Sequence, residues 1–233
     1  QENKYNCDII NESNNYSILA VQGPKSRDLL LQLTDKSISQ IKYYNFIIGS
    51  INDIDNIIIS RTGYTGELGF ELYIKNNYVE KVWDYLFKTD IELTPIGLAA
   101  RDTLRLEKGY CLYGNDIDDA TSPIEAGLSW ITSFNKRFIN SDNLKAQQAN
   151  GPAKKLVGLE LIDRGIARKD YEIYNLHNEK IGNITSGTMS PTLSKSIALG
   201  YVKTKYSNIG DELYIKVRNK LIKSLIVDVP FVK

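Results

Sequence analysis

Beyond residue 155 apolar residues recur in short β-like runs and no helical stripe continues among them. The runs are LVGLELI (156–162), IGNITSGT (181–188), IALGYV (197–202), ELYIKV (212–217) and LIKSLIVDV (221–229), parted by turn residues. Such segments bury their apolar side chains by pairing with one another. They predict a small all-β barrel or sandwich. Upstream the pattern is mixed. SILAV (17–21), FIIGSI (46–51), NIIISR (56–61) and FELYIK (70–75) read as strands, the last with the alternation of a half-buried strand. Pro24 suits the first position of a helix that carries Leu29, Leu30, Leu31 and Leu33. Asn76 or Asn77 can cap another, with Val79, Val82, Trp83 and Leu86 on one face. The order β-α-β-β-β-α points to an α+β arrangement with antiparallel neighbours. Between the two regions NSDNLKAQQANGPAKK (140–155) is polar, ends in Gly-Pro and reads as a linker. The expected organisation is an α+β domain over 1–150 followed by a barrel-like domain over 151–233.

Composition narrows the function. The chain has 233 residues, 42% hydrophobic and 24% charged, as in a soluble globular protein. Lys plus Arg is 29 and Asp plus Glu is 28, which leaves no basic footprint for nucleic acid or an anionic membrane. No apolar run of about 18 residues and no basic-then-apolar leader is present, so the expected location is cytoplasmic, without membrane partners. The single histidine, His177, lies in the polar turn NLHNEK. It reads as a surface residue, and neither a zinc site nor a Ser–His–Asp triad can be assembled around it. No metal is expected, and acid–base work falls to carboxylates, tyrosines or a lysine. Cys7 and Cys111 fit no disulfide framework and read as reduced, buried thiols.

Two stretches carry the candidate chemistry. RTGYTGELGFE (61–71) sets Gly63, Gly66 and Gly69 between two strands. Glycine permits a left-handed backbone or a close approach by a ligand. A strand follows where a dinucleotide fingerprint requires a helix, and no Walker lysine is present. GLAARDTLRLEKGYCLYGND (97–116) begins with an amphipathic helix. On its wheel Ile96, Ala99, Ala100, Leu104 and Leu106 share one arc, and Arg101, Arg105 and Lys108 share another. Glu107 falls inside the apolar arc, either at a fraying end or buried with a partner. The bland alternative is a solvated basic face. NDIDDA (115–120) lacks the spacing of a calcium loop and reads as a solvated acidic turn. SPIE (122–125) has the pattern of a capping box. Composition and spacing alone support a two-domain protein with a polar, glycine-lined cleft for a small ligand.

The same stretches resemble a family. SILAVQGPKS, RTGYTGELGFE, GLAARDTLRLEKGYCLYGNDID, SPIEAGLSW, LVGLEL, IGNITSGTMSPTLSKSIALGYV and the closing VPFV resemble, in order, blocks of the aminomethyltransferase (T-protein) of the glycine cleavage system. The family also holds folate-dependent relatives whose Lys-Gly-Cys-Tyr-type signature differs from KGYCLYGND here. The resemblance implies a mixed α/β folate-binding domain followed by a β-barrel. It implies tetrahydrofolate as cofactor and a lipoylated H-protein as partner. The aminomethyl group on the lipoyl arm would yield its one-carbon unit to tetrahydrofolate, with release of ammonia. Glu71 matches the family glutamate that hydrogen-bonds the pterin, and Arg101 its folate-contacting arginine. Tyr113 and Trp130 fall in matching blocks, where they can line the pocket or pack in the core. The family's catalytic aspartate is expected before Gln1, so the resemblance places no catalytic residue in this chain. The expected alternatives are a non-catalytic folate- or H-protein-binding module, or a related folate-dependent protein.

Overall fold

The structure is a computed structural model and describes residues 7–233. The described residues divide into two compact units that part between Ile96 and Gly97. The first contains strand β1 (Tyr16–Gln22), helix α1 (Ser26–Leu30), strands β2 (Phe46–Ile51), β3 (Ile54–Ser60) and β4 (Gly69–Lys75), and helix α2 (Val79–Leu86). The strands form one sheet in the order β1-β4-β3-β2, antiparallel throughout, as the element order predicts. Side chains alternate between faces. Val21, Ile57, Ile59, Phe70, Leu72 and Ile74 turn to one face and pack with Leu29, Leu30, Val82 and Leu86 of the helices. The other face stays open. SILAV is therefore an edge strand, buried at Val21 but with Ile18 54% exposed.

Register decides what stands on the open face. Ala20 pairs with Glu71 and Glu71 with Ser60; Ile18 pairs with Tyr73 and Tyr73 with Ile58. Glu71 is thus central, flanked on both sides along the sheet. The β2–β3 turn closes on Asn52, whose φ of 48° suits asparagine. The next residue, Asp53, accepts from Lys81 Nζ and Tyr85 hydroxyl of α2, each at 2.6 Å. These bonds, Lys81 first, hold the Asp53 carboxyl down at about 2.

The second unit contains helices α3 (Leu98–Glu107) and α4 (Ser141–Asn150) and strands β5 (Lys154–Leu161), β6 (Glu172–Tyr174), β7 (Lys180–Ser190), β8 (Lys195–Lys203), β9 (Glu212–Val217) and β10 (Lys220–Val227). The strands close into a barrel in the order β10-β5-β8-β7-β6-β9. Val157, Leu159, Ile173, Ile184, Val202, Leu213 and Ile215 fill it. The short β runs thus make the barrel they predict. The polar segment expected to be a linker instead forms α4. Its Leu, Lys, Ala and Gln residues are good helix formers, and Gly151, with φ 78°, ends it. Its buried side chains are Ser141 and Leu144 alone, too few to print an amphipathic stripe.

The compact units part between Ile96 and Gly97, inside the segment expected over 1–150. The reason is α3, which packs on β7 and β8 of the barrel. Its anchor is Arg105, which is fully buried, not part of a solvated basic face. Arg105 Nε donates to Asp102 at 2.8 Å, Nη1 to Asp116 at 2.5 Å and to the Tyr110 carbonyl at 2.9 Å, and Nη2 to Ser186 Oγ at 2.8 Å. Burial opposes the charge, yet Asp116 and Asp102 raise the guanidinium above its ordinary pKa. Asp116 is 1% exposed, so NDIDDA is not a wholly solvated turn. Its carboxylate also receives Leu112 N–H at 2.9 Å and the hydroxyls of Thr185 and Ser186. Two residues on, Glu107 is buried with partners: Ser190 Oγ at 2.5 Å and Thr192 Oγ1 at 3.0 Å, from the β7–β8 end. Removing Asp116 strands a buried charge. Asp116→Ala is expected to destabilise the second unit by about 3–5 kcal/mol, read as a lowered urea midpoint. A loss below about 1 kcal/mol, the range of exposed pairs, would mean that Arg105 is held without it.

Candidate functional site

The glycine-rich loop runs from the end of β3 to the start of β4. Its three glycines serve two purposes. Gly66 has φ 76° and supplies the left-handed turn. Gly63 and Gly69 supply room, and the occupant is the protein's own Gln22 at the end of β1. A Cβ would stand 2.0 Å from Gln22 Oε1 at Gly63 and 1.9 Å at Gly69. Gln22 Nε2 donates to the carbonyls of Thr62 at 3.3 Å and Phe70 at 3.1 Å. The far side of the loop is tied by Gly23 N–H to the Leu68 carbonyl at 2.8 Å and by Ser26 Oγ to the same oxygen at 3.2 Å. At the near end Arg61 Nη1 reaches the Ile41 carbonyl at 3.0 Å.

This loop delivers Thr62 to Glu71. The Thr62 hydroxyl donates to Glu71 Oε2 and lies 3.0 Å from Ser60 Oγ. Glu71 is half-buried at the centre of the open sheet face, among Ile18, Phe46, Ile48, Ile58 and Tyr73. Burial, and then the Glu71 carboxylate, raise the Tyr73 hydroxyl above its ordinary pKa. A carboxylate held at one oxygen on an apolar, partly aromatic surface can accept N–H donors from a flat ligand edge.

The remaining candidates belong to the second unit. Arg101 is exposed on the outer half of α3, beyond the anchored turn at Arg105. Tyr113 is 65% exposed and its hydroxyl donates to Asp119 at 2.6 Å. Trp130, 75% exposed, lies on a single turn, Ser129–Ile131. Neither aromatic packs in the core. The capping box forms: Ser122 N–H donates to Glu125 Oε2 and Glu125 N–H to Ser122 Oγ, both at 3.1 Å. Sequence reading passed over Gln22, Thr62 and Asp116. Nothing in the sequence singles out Gln22, because its place beside the glycines comes from the pairing of β1 with β4.

His177 is exposed in the turn before β7, as expected, its N–H on Asn175 Oδ1 at 2.9 Å. Cys7 is exposed, not buried, and Cys111 is half-buried.

Two family models account for most of the chain: the GCVT N-terminal domain over residues 1–136 and the glycine cleavage T-protein C-terminal barrel domain over 154–233. The chain belongs to the glycine cleavage T-protein family. Among its relatives, an aminomethyltransferase of Bacteroides fragilis is 51% identical over 99% of this chain and 65% of its own length. That of Halothermothrix orenii is 46% identical over 97% and 63%. The crystal structure of glycine cleavage system aminomethyltransferase T from Bartonella henselae matches with a TM-score of 0.80 and 31% identity, over 93% of this chain and 60% of that one. The chain thus spans about two thirds of the length of these T-protein relatives. Glu71, Arg101, Tyr113 and Trp130 all lie within the N-terminal family model.

Cys111, near Asp116 and Arg105 in the second unit, lacks the character of a nucleophile. Burial first, then Asp116, push its thiol up to about 11, so little thiolate exists at neutral pH. Iodoacetamide at pH 8 is expected to label the exposed Cys7 and to spare Cys111, as read by peptide mass mapping. Equal labelling of both would contradict the burial of Cys111.

Proposed function

We propose that this chain carries the folate-contacting part of an aminomethyltransferase. In the whole protein, the one-carbon unit of an aminomethyl group on the lipoyl arm of an H-protein passes to tetrahydrofolate, and ammonia is released. One observation carries the reading: Glu71 stands at the centre of an open, apolar sheet face with one oxygen held by Thr62. The residues present fit the group. A pterin edge offers neighbouring N–H donors that a carboxylate can accept, and Phe46 and Tyr73 flank it on the same face. Tetrahydrofolate, when bound, supplies the nitrogen that takes up the one-carbon unit. Glu71 orients the ligand and Arg101 offers a donor fork to its oxygen-rich parts. Tyr113 and Trp130, exposed as they are, provide aromatic surface for the same ligand or for the H-protein. The protein works in the cytoplasm.

A second reading, a binding module without chemistry, is favoured by how the aspartates of the motif blocks are used. Asp102 and Asp116 hold Arg105, and Asp118 accepts from Thr121 and Ala120. Ammonia release from aminomethyl-loaded H-protein and tetrahydrofolate separates the two. The 233-residue chain by itself is expected to fall far short of a T-protein, since loss of one acid–base group removes about 10²–10⁴-fold. Release at the full rate would place the catalytic group within these residues.

Binding tests the first reading directly. Glu71→Ala is expected to weaken tetrahydrofolate binding by about 1–3 kcal/mol, because it strands donors on the ligand. Unchanged affinity by calorimetric titration would remove Glu71 from the site.

A further inference from the structure

Gln22 is a partly buried neighbour of Glu71 that no chemistry so far has used. Register pairs it with Gly69, two residues before Glu71 on β4, so both side chains emerge on the open face. The residue opposite has no side chain, and the Gln22 amide lies flat across the gap. Its oxygen fills the volume that a Cβ would take at Gly63 and Gly69. Its nitrogen spans both ends of the loop, donating to Thr62 and Phe70 carbonyls. Those two carbonyls belong to the residue that hydrogen-bonds Glu71 and to the residue before Glu71.

We propose that Gln22 is a positioning residue for Glu71: its amide, threaded between Gly63 and Gly69, fixes the loop that brings Thr62 onto the Glu71 carboxylate. The proposal rests on the reading of Glu71 as a folate contact, which it deepens. Three features select glutamine. Its length reaches both carbonyls from the strand end. Its NH₂ has two donors for two acceptors, which glutamate lacks. Its oxygen is small enough to sit against two glycine Cα atoms. The side chain therefore explains why two of the three glycines must be glycine, and it acts on the ligand only through Thr62 and Glu71.

Gln22→Met keeps the length and removes both donors. With Glu-selective ¹³C labelling, the Glu71 carboxyl resonance is the ligand-free readout, and Thr62→Val, which deletes the hydroxyl, marks the direction of the change. We expect Gln22→Met to move that resonance the same way and to raise amide exchange over 61–69. Tetrahydrofolate affinity is expected to fall about 2- to 10-fold, the value of one or two neutral hydrogen bonds. In a Glu71→Ala background the same substitution is expected to change affinity no further. Should Gln22→Met not fold, Gly69→Ala displaces the amide from the other side with Gln22 present, and the same resonance is read. An unmoved Glu71 resonance overturns the proposal, as does an affinity loss of full size in the Glu71→Ala background. A protein without folate affinity counts against the folate reading alone, and the resonance then decides for or against Gln22.

Discussion

A guanidinium with no access to water must be surrounded by acceptors, and that requirement organises the second unit. Arg105 is fully buried, and each of its nitrogens has a partner. The acceptors come from its own helix, from the loop just after it, and from Ser186 of β7. Meeting them all fixes three segments relative to one another: the end of α3, the LYGND loop and the barrel wall. Glu107 repeats the device with Ser190 and Thr192. Packing alone would not do this, since α3 offers Leu106 as its one fully buried apolar side chain. A buried pair is no guarantee of net stability against an apolar isostere. What it supplies here is direction, because hydrogen bonds to a planar fork permit few orientations.

That polar anchor is also where the sequence misleads. The wheel of α3 puts Arg105 with Arg101 and Lys108, and nothing local distinguishes a solvated arginine from a buried one. The partners that bury it include Ser186, 81 residues away. The result moves α3 into the barrel unit and the break to residue 96. The same limit hid α4, which is helical by propensity and capping without a buried stripe. Where burial follows period, reading succeeded: the alternation of FELYIK, the short barrel strands and the antiparallel order all appear as expected. The capping box succeeded because both halves of it lie within four residues. The placement of Glu71 was legible only through resemblance. Its contacts with Thr62, and those of Thr62 with Gln22, follow from strand register rather than from residue type.

The glycine loop shows why a motif can be right in its location and wrong in its reason. Three glycines suggest a backbone made thin for a ligand. Only Gly66 takes the backbone conformation that favours glycine, and the space over Gly63 and Gly69 is already filled by Gln22. The loop is thus stiffened from within. Leu68 is tied from the α1 side and Thr62 from the β1 side, so the segment between two strands is held at both ends.

Stiffness matters for Glu71 because of the surface around it. Ile18, Phe46 and Ile48 are exposed on the same face, and whatever covers them removes water from the carboxylate too. A carboxylate that loses water without replacement hydrogen-bond donors is heavily penalised. The Thr62 hydrogen bond survives that drying, since its donor belongs to the protein. A ligand that covered this face would meet Glu71 with Oε2 already satisfied by Thr62 and would need to supply donors only to what remains. A flexible loop would forfeit this, because ordering Thr62 at the moment of binding would offset part of the gain from each hydrogen bond. The Gln22 amide, the two glycines that admit it and the Thr62 hydroxyl are in this sense one device, spread over β1, the glycine loop and β4 and aimed at a single carboxylate.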